Sequence, residues 1–232
     1  MNIALFGYGK MGKMIEKIAN DRGHNIVAKI DVDTPEIDFS TMDVAIDFSM
    51  PDAAFENVTS CFENGVPVIS GTTGWLHDYE KAIDLCQEKK GGFIYASNFS
   101  LGVNIFFELN SYLGGMMKNL EQYQISIEEI HHTQKLDAPS GTAITLAEGI
   151  IKNTDYKKWK LGEVSKGEIP ITAKRIDKVP GTHTVAYESK VDGIEIKHTA
   201  HNREGFALGA VIAAEWIKGK TGVFSMKDVL GL

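Results

Sequence analysis

A glycine turn near the amino terminus narrows what this chain can fold into. Asn2 to Phe6 reads as a short apolar strand, and Met14, Ile15, Ile18 and Ala19 share one face of a following helix. Between them stands Gly7-Tyr8-Gly9-Lys10-Met11-Gly12, which is G-x-G-x-x-G in a strand-turn-helix setting. In that setting Gly7 makes the tight turn, Gly9 lets a pyrophosphate approach the backbone, and Gly12 packs helix on strand. The helix start then offers unpaired N–H groups and a positive dipole end to an anion. A tight turn in another α/β protein has the same pattern, so the rest of the chain must decide.

The first half continues as alternating strands and helices. Asn25 to Ile30 predicts a second strand, with Asp31 at its end. An acid there, about 20 residues past the glycines, accepts hydrogen bonds from an adenosine ribose; Asp33 is the nearby alternative. Val44 to Phe48 predicts a third strand, and a helix runs from Pro51 to about Glu63. A strand ending at Ser70 meets Gly71-Thr72-Thr73-Gly74, a small loop at a strand's carboxyl end, where ligands of parallel sheets bind. Asp78 to Lys90 is helical, and Phe93 to Ala96 is a fifth strand. A helix over Val103 to Met117 carries Ile105, Phe106, Leu109, Leu113 and Met116, a stripe that reads as core.

The second half changes character at Glu128 to Ala143. Tyr123, Ile125 and Ile127 alternate with polar residues, as in a half-buried strand. Ile144, Leu146, Ala147, Ile150 and Ile151 recur at helical spacing. His131 and His132 therefore sit at a strand end and Lys135 in a loop, while Pro139-Ser140-Gly141-Thr142 opens a helix. Two imidazoles can move protons near neutral pH, an ammonium can hold or protonate an anion, and the helix start can bind a carboxylate. These parts point to a small anionic substrate that gains a proton. Further on, Asn153 to Gly167 is polar and irregular. Ile169 to Ile176, Thr182 to Ser189 and Ile194 to His201 predict strands, with a hairpin signal at Asp192-Gly193. His183, His198 and His201 fall on these strands, but no carboxylate or cysteine cluster in the sequence completes a metal site, and no metal is expected.

The window Glu129, His131, His132, Lys135, Asp137, Pro139, Ser140, Gly141, Thr142 and Ala143 resembles the signature of the dihydrodipicolinate (4-hydroxy-tetrahydrodipicolinate) reductase family. Gly71-Thr72-Thr73 and the segment Ser97 to Asn104 resemble that family's cofactor loops. Arg175, the Gly181-Thr182-His183-Thr184-Val185 strand and Arg203 resemble its substrate-domain elements. The resemblance implies an α/β chain: a Rossmann-like parallel-sheet cofactor domain over 1–98 and 204–232, and an α+β substrate and oligomerisation domain over 99–203 with a small mixed sheet. It implies NAD(P)H-dependent reduction of a cyclic imine dicarboxylate to tetrahydrodipicolinate in lysine biosynthesis. His131 and Lys135 would be the catalytic proton donors. His132, Lys135, Ser140, Gly141 and Thr142 would hold substrate. Gly7, Tyr8, Gly9, Lys10, Met11, Gly12, Asp31, Gly71, Thr72, Thr73, Ala96, Ser97, Asn98 and Phe99 would contact the cofactor. The family often sets a basic residue beside the ribose acid to hold the NADPH phosphate; here Val32 follows Asp31, which favours NADH unless Lys29, Lys10 or Lys13 compensates. The resemblance also implies a homo-oligomer, a tetramer.

The 232 residues hold one large or two small domains, and 43% apolar content supports a real core. A net charge of −7 gives no basic footprint for nucleic acid. The two cysteines, Cys61 and Cys86, read as reduced buried thiols. With no membrane-length apolar run and no signal pattern, the expected location is cytoplasmic. Two other readings share the cofactor half: an aspartate dehydrogenase, and a nucleotide-binding sensor without turnover.

Overall fold

The computed structural model describes residues 1–31, 34 and 37–232. Val32 and Asp33, which entered the reading of the ribose acid, lie outside the described residues. The chain divides into two compact units, one of Met1–Leu101 with Glu204–Leu232 and one of Gly102–Arg203.

The first unit is built on six parallel strands. They are β1 (Asn2–Phe6), β2 (Asn25–Ile30), β3 (Val44–Asp47), β4 (Val68–Ser70), β5 (Gly92–Tyr95) and β11 (Gly222–Phe224), in the order β11-β5-β4-β3-β1-β2. Strands covered on both faces need apolar side chains throughout, which is why β3 is buried along its whole length. Alternate residues feed two cores. Ile3, Leu5, Val44 and Ile46 pack with α1 (Lys10–Asp21) and α6 (Glu204–Ile217). Ala4, Phe6, Ala45 and Val68 pack with the opposite layer, which contains α2 (Pro51–Glu63) and α3 (Tyr79–Glu88). Helix α6 thus packs in the first unit. Cys61 and Cys86 are free and buried in the second of these cores.

The second unit carries a five-stranded mixed sheet. It comprises β6 (Gln124–His131), β7 (Lys158–Leu161), β8 (Glu168–Arg175), β9 (Gly181–Glu188) and β10 (Gly193–Ala200), ordered β10-β9-β6-β8-β7. β6 pairs antiparallel with β9 and parallel with β8. Ile125, Ile127, Ile169, Ile171 and Val185 face a core shared with α4 (Leu101–Met117) and α5 (Gly141–Asn153). β7 corrects the expectation of irregular structure over 153–167. The stripe on α4 is also corrected: Phe106 and Leu113 are core, but Ile105, Leu109 and Met116 are exposed, with Tyr112 (70% exposed) on the same face. Gly102 belongs to a helix. It lies in the first turn of α4, where a Cβ would come within 3.1 Å of His198 Nε2.

Among the described residues no helix is long and apolar enough to cross a membrane.

Candidate active site

In the first unit the carboxyl ends of β1, β3 and β4 meet at one residue the sequence reading did not single out, Phe48. Its N–H donates to Phe6 O at 2.9 Å. Gly7 has φ +88°, and a Cβ there would lie 2.3 Å from Phe48 O. At Gly71 a Cβ would lie 2.3 Å from the Phe48 ring. Gly12 is forced in the same way, since its Cβ would come within 2.4 Å of Gly7 O. The strand order reverses between β1 and β3, the switch point where doubly wound sheets take ligands. Gly9 is the N-cap of α1 and brings no capping side chain, so the first-turn N–H groups have no side-chain acceptor there. A Cβ at Gly9 would meet nothing within 4 Å, so this residue borders open space. The turn therefore fits a dinucleotide's pyrophosphate. Lys10 is exposed and Met11 partly buried beside it.

The remaining cofactor candidates take distinct places. Tyr8 O–H is hydrogen-bonded to Glu16, and Lys29 Nζ lies 4.5 Å above the Tyr8 ring. Lys29 also pairs with Glu16 at 2.7 Å, so this lysine is already engaged. Asp31 is exposed, and its N–H donates to Thr34 Oγ1 at 3.0 Å. The Thr72 hydroxyl accepts from Ser49 N–H at 2.8 Å and braces the loop, whereas Thr73 is exposed. Ala96 N–H donates to Ser70 O, Ser97 is exposed, and Asn98 accepts from Ser100 N–H. The Phe99 ring is fully buried and packs near Phe48, so it belongs to the core.

The second unit gathers the histidine window around a buried carboxylate. Alternation along β6 puts Ile125, Ile127, Glu129 and His131 on the buried face. Register places Glu129 opposite His183 on β9, and His131 opposite Arg175 on β8. Glu129 is fully buried; one oxygen accepts from Ser140 N–H at 2.9 Å and the other from Arg175 Nη2 at 3.1 Å. Burial pushes its carboxyl up, but the Ser140 hydrogen bonds and Arg175 outweigh that and hold it below the ordinary value. His131 Nδ1 faces Glu129 Oε2 at 3.6 Å, too long for a hydrogen bond, and has no partner. Burial lowers the readiness of His131 to take a proton; Glu129 opposes that, while Lys135, Arg175 and His132 reinforce it. His183 is pushed down to about 4, first by burial and then by His131. Its Nε2 shares a 3.0 Å hydrogen bond with Ser140 Oγ.

Ser140 is consequently occupied. Its hydroxyl caps α5 by accepting from Ala143 N–H, and its own N–H is held by Glu129. Gly141, exposed, and Thr142, half-buried, supply the N–H groups at the open helix start. Arg175 does more than neutralise Glu129: it donates to the carbonyls of Lys135 and Asp137 and so holds the 132–139 loop. Lys135 Nζ reaches Asp137 at 2.8 Å, and Leu136 between them is 96% exposed. His132 shares a cavity of about 400 Å³ with Lys178, Asn202 and Arg203.

Sequence reasoning found no carboxylate to accompany the histidines, and the sheet register corrects this. Glu129, His131 and His183 bring potential ligand atoms within 4.8 Å of one another, all buried. The Arg175 guanidinium on Glu129 and the Ser140 bond on His183 already use that space, which suits a proton-handling cluster better than a divalent cation. In the sequence Arg175 stands out only as family-like, and His183 as family-like and as an unsupported metal ligand. Their shared partner follows from strand pairing across 46 and 54 residues.

Comparison with known proteins places the whole chain. Residues 32–99 match the family model described as dihydrodipicolinate reductase, N-terminus, and residues 102–230 match that described as its C-terminus. A protein from Christiangramia forsetii named 4-hydroxy-tetrahydrodipicolinate reductase is 62% identical, over 99% of this chain and 98% of its own. One of the same name from Methanosarcina acetivorans is 39% identical over 99% and 89%. A dipicolinate-bound dihydrodipicolinate reductase from Paenisporosarcina superposes with a TM-score of 0.80 at 23% identity, covering 97% of each chain. An aspartate dehydrogenase from Thermotoga maritima shares the fold more loosely, with a TM-score of 0.51 at 15% identity. With both family models matched in order and relatives aligned end to end, the chain belongs to the dihydrodipicolinate reductase family.

Proposed function

We infer that this protein reduces 4-hydroxy-tetrahydrodipicolinate with a nicotinamide dinucleotide, as an enzyme of diaminopimelate and lysine biosynthesis. The observation that carries this is the 62% identity to a reductase of that name over essentially the whole of both chains. Its dicarboxylate substrate matches the cationic and N–H groups of the second unit.

We propose the following roles for individual residues. Gly7 to Gly12 hold the pyrophosphate, with Tyr8, Lys10 and Met11 beside it. Asp31 takes the ribose, Gly71 to Thr73 and Ala96 to Asn98 border the nicotinamide, and the buried Phe99 ring backs that loop from the core. When bound, the nicotinamide supplies the hydride. The chain's own residues supply charge and a proton. The Gly141 and Thr142 N–H groups, with Ser140 fixing the turn, hold one carboxylate, and Lys135 pairs with a carboxylate while standing as a second proton donor. His132 contacts the ring from the cavity it shares with Arg203. Reduction leaves an electron-rich carbon that must gain a proton, and His131 delivers it from Nε2. Nδ1 faces Glu129, which leaves Nε2 for this role. Holding these groups in register with the ring supplies much of the rate.

Asp31 suits a ribose diol and repels a 2′-phosphate, and Lys29 is tied to Glu16. NADH should therefore serve at least as well as NADPH. The exposed α4 stripe supports a homo-oligomer, since a contiguous apolar face of this kind marks an interface. The test is consumption of NADH and NADPH with freshly generated substrate, comparing kcat/KM. A strong NADPH preference would overturn the Asp31 assignment, and cofactor affinity without oxidation would favour a binding module.

A further inference from the structure

We propose that Glu129, held by Arg175 and Ser140, is the positioning residue for proton delivery by His131: its carboxylate faces Nδ1 and directs the transferable proton to Nε2. This rests on the reading that His131 supplies the proton. Three geometric facts carry it. Glu129 Oε2 lies 3.6 Å from the orphaned Nδ1, on the same strand face. The opposite nitrogen, Nε2, lies beside Gly181, where a Cβ would come within 3.1 Å of it. Glu129 is itself immobilised from two sides, by the α5 start and by β8.

The physical logic is that of a carboxylate that orients an imidazole without taking its proton. When His131 is protonated, Nδ1–H closes the short gap to Oε2 and the imidazolium is stabilised. The Nε2–H bond then breaks as the substrate's electron pair forms the new carbon–hydrogen bond, and the ring returns to neutral. Charged and titratable groups face His131 from every side. Glu129 on β6 favours the charged ring. Lys135 and His132 in the loop and Arg175 on β8 oppose it, and His183 on β9 stands edge-on at 5.0 Å between ring centroids. His198, opposite His183 on β10, adds to the histidine row. Because Ser140 N–H hangs from the same carboxylate, Glu129 also fixes the helix start proposed to hold the substrate carboxylate. One buried charge would thus set both where the substrate sits and when the proton can leave.

The test is the pH profile of kcat/KM in the full enzyme. An acid that must be protonated gives an alkaline limb at its own titration point. Glu129→Gln keeps an amide oxygen for Ser140 N–H but removes the charge. It should lower kcat roughly 10- to 100-fold with little change in KM, and move the alkaline limb down by about one pH unit. Glu129→Asp should restore part of both. Arg175→Gln removes an opposing cation and should move the limb up, a reversal that simple loss of stability would not produce. If Glu129→Gln fails to fold, the Arg175→Gln and Glu129→Asp shifts decide, and a limb that stays in place in both overturns the proposal. His131→Gln separates the two claims. Should it abolish the limb while Glu129→Gln leaves it unmoved, only the role of Glu129 is wrong. A limb that survives in His131→Gln overturns both.

Discussion

The two units are proposed to hold an anion at a helix start, and each builds that start in a different way. In the first unit the site is written in consecutive residues. Gly7, Gly9 and Gly12 shape it by lacking side chains; Gly7 abuts Phe48 one strand away, and Gly12 abuts Gly7. The second unit builds its site from side chains on β6, β8, β9 and α5, joined through the buried Glu129. At Gly7 and Gly12 a backbone-shaped site leaves no room for an added atom. A side-chain network tolerates shape changes better but depends on every charge having a partner.

That contrast makes the sharpest break a single methyl group. Gly7→Ala adds a Cβ within 2.3 Å of Phe48 O at a residue with φ +88°. Left-handed strain and backbone overlap together cost on the order of 4 kcal/mol, so NADH affinity should fall roughly 1000-fold. The His131 titration, followed by NMR, should not change. Cofactor binding within tenfold of wild type would refute the picture of a turn without slack.

The matching break in the second unit removes chemistry and spares binding. His131→Gln should lower kcat roughly 100-fold, as for a lost general acid, with KM and NADH affinity near normal. Lys135→Ala should lower kcat and also raise KM, because this ammonium is proposed both to pair with a carboxylate and to donate. Steady-state kinetics and cofactor titration separate these outcomes. Wild-type turnover in His131→Gln would remove it from the mechanism, and lost NADH binding in either variant would show that the two sites are not separable.

The same contrast explains what the sequence could reveal. Parallel strands of the first unit are apolar runs between turn signals, so β1 to β5 and their loops were readable. β11 (Gly-Val-Phe) is three residues long and joins the sheet edge only by pairing with β5, so no pattern announces it. β7 escapes for another reason: Lys158-Trp159-Lys160-Leu161 is an exposed edge strand, without a buried face to force alternation. The 131–142 window was legible as chemistry, yet its organiser was not. Glu129, Arg175 and His183 become neighbours through strand register, which a single sequence does not display. The α4 stripe failed for the opposite reason: helical spacing reports an apolar face, and Ile105, Leu109 and Met116 show that the protein's own core is not what that face meets.

Acid should separate the two units most gently. His183 in the second unit has its folded-state value lowered to about 4 by burial, against an ordinary value of 6.5. A lowered folded value means the unfolded chain binds the proton first, so this stability is present above pH 6.5 and is lost as pH falls towards 4. By pH 4.5 the loss is on the order of 2 kcal/mol. Asp47 in the first unit has the opposite sign. Burial raises its carboxyl despite hydrogen bonds from Ser49, Ser70 and Asn57, so its contribution is present at low pH and is lost as pH rises through the folded value. Between pH 7 and 4.5 the strands around His183 should therefore lose hydrogen-exchange protection, once intrinsic rates are corrected for pH, while those around Asp47 hold or gain it. His183→Gln, which cannot take the proton, should flatten the change in β6 and β9 and leave β3 and β4 as they were. If both units lost protection in parallel, or the variant lost it as wild type does, the buried histidine would not be the source of the acid sensitivity.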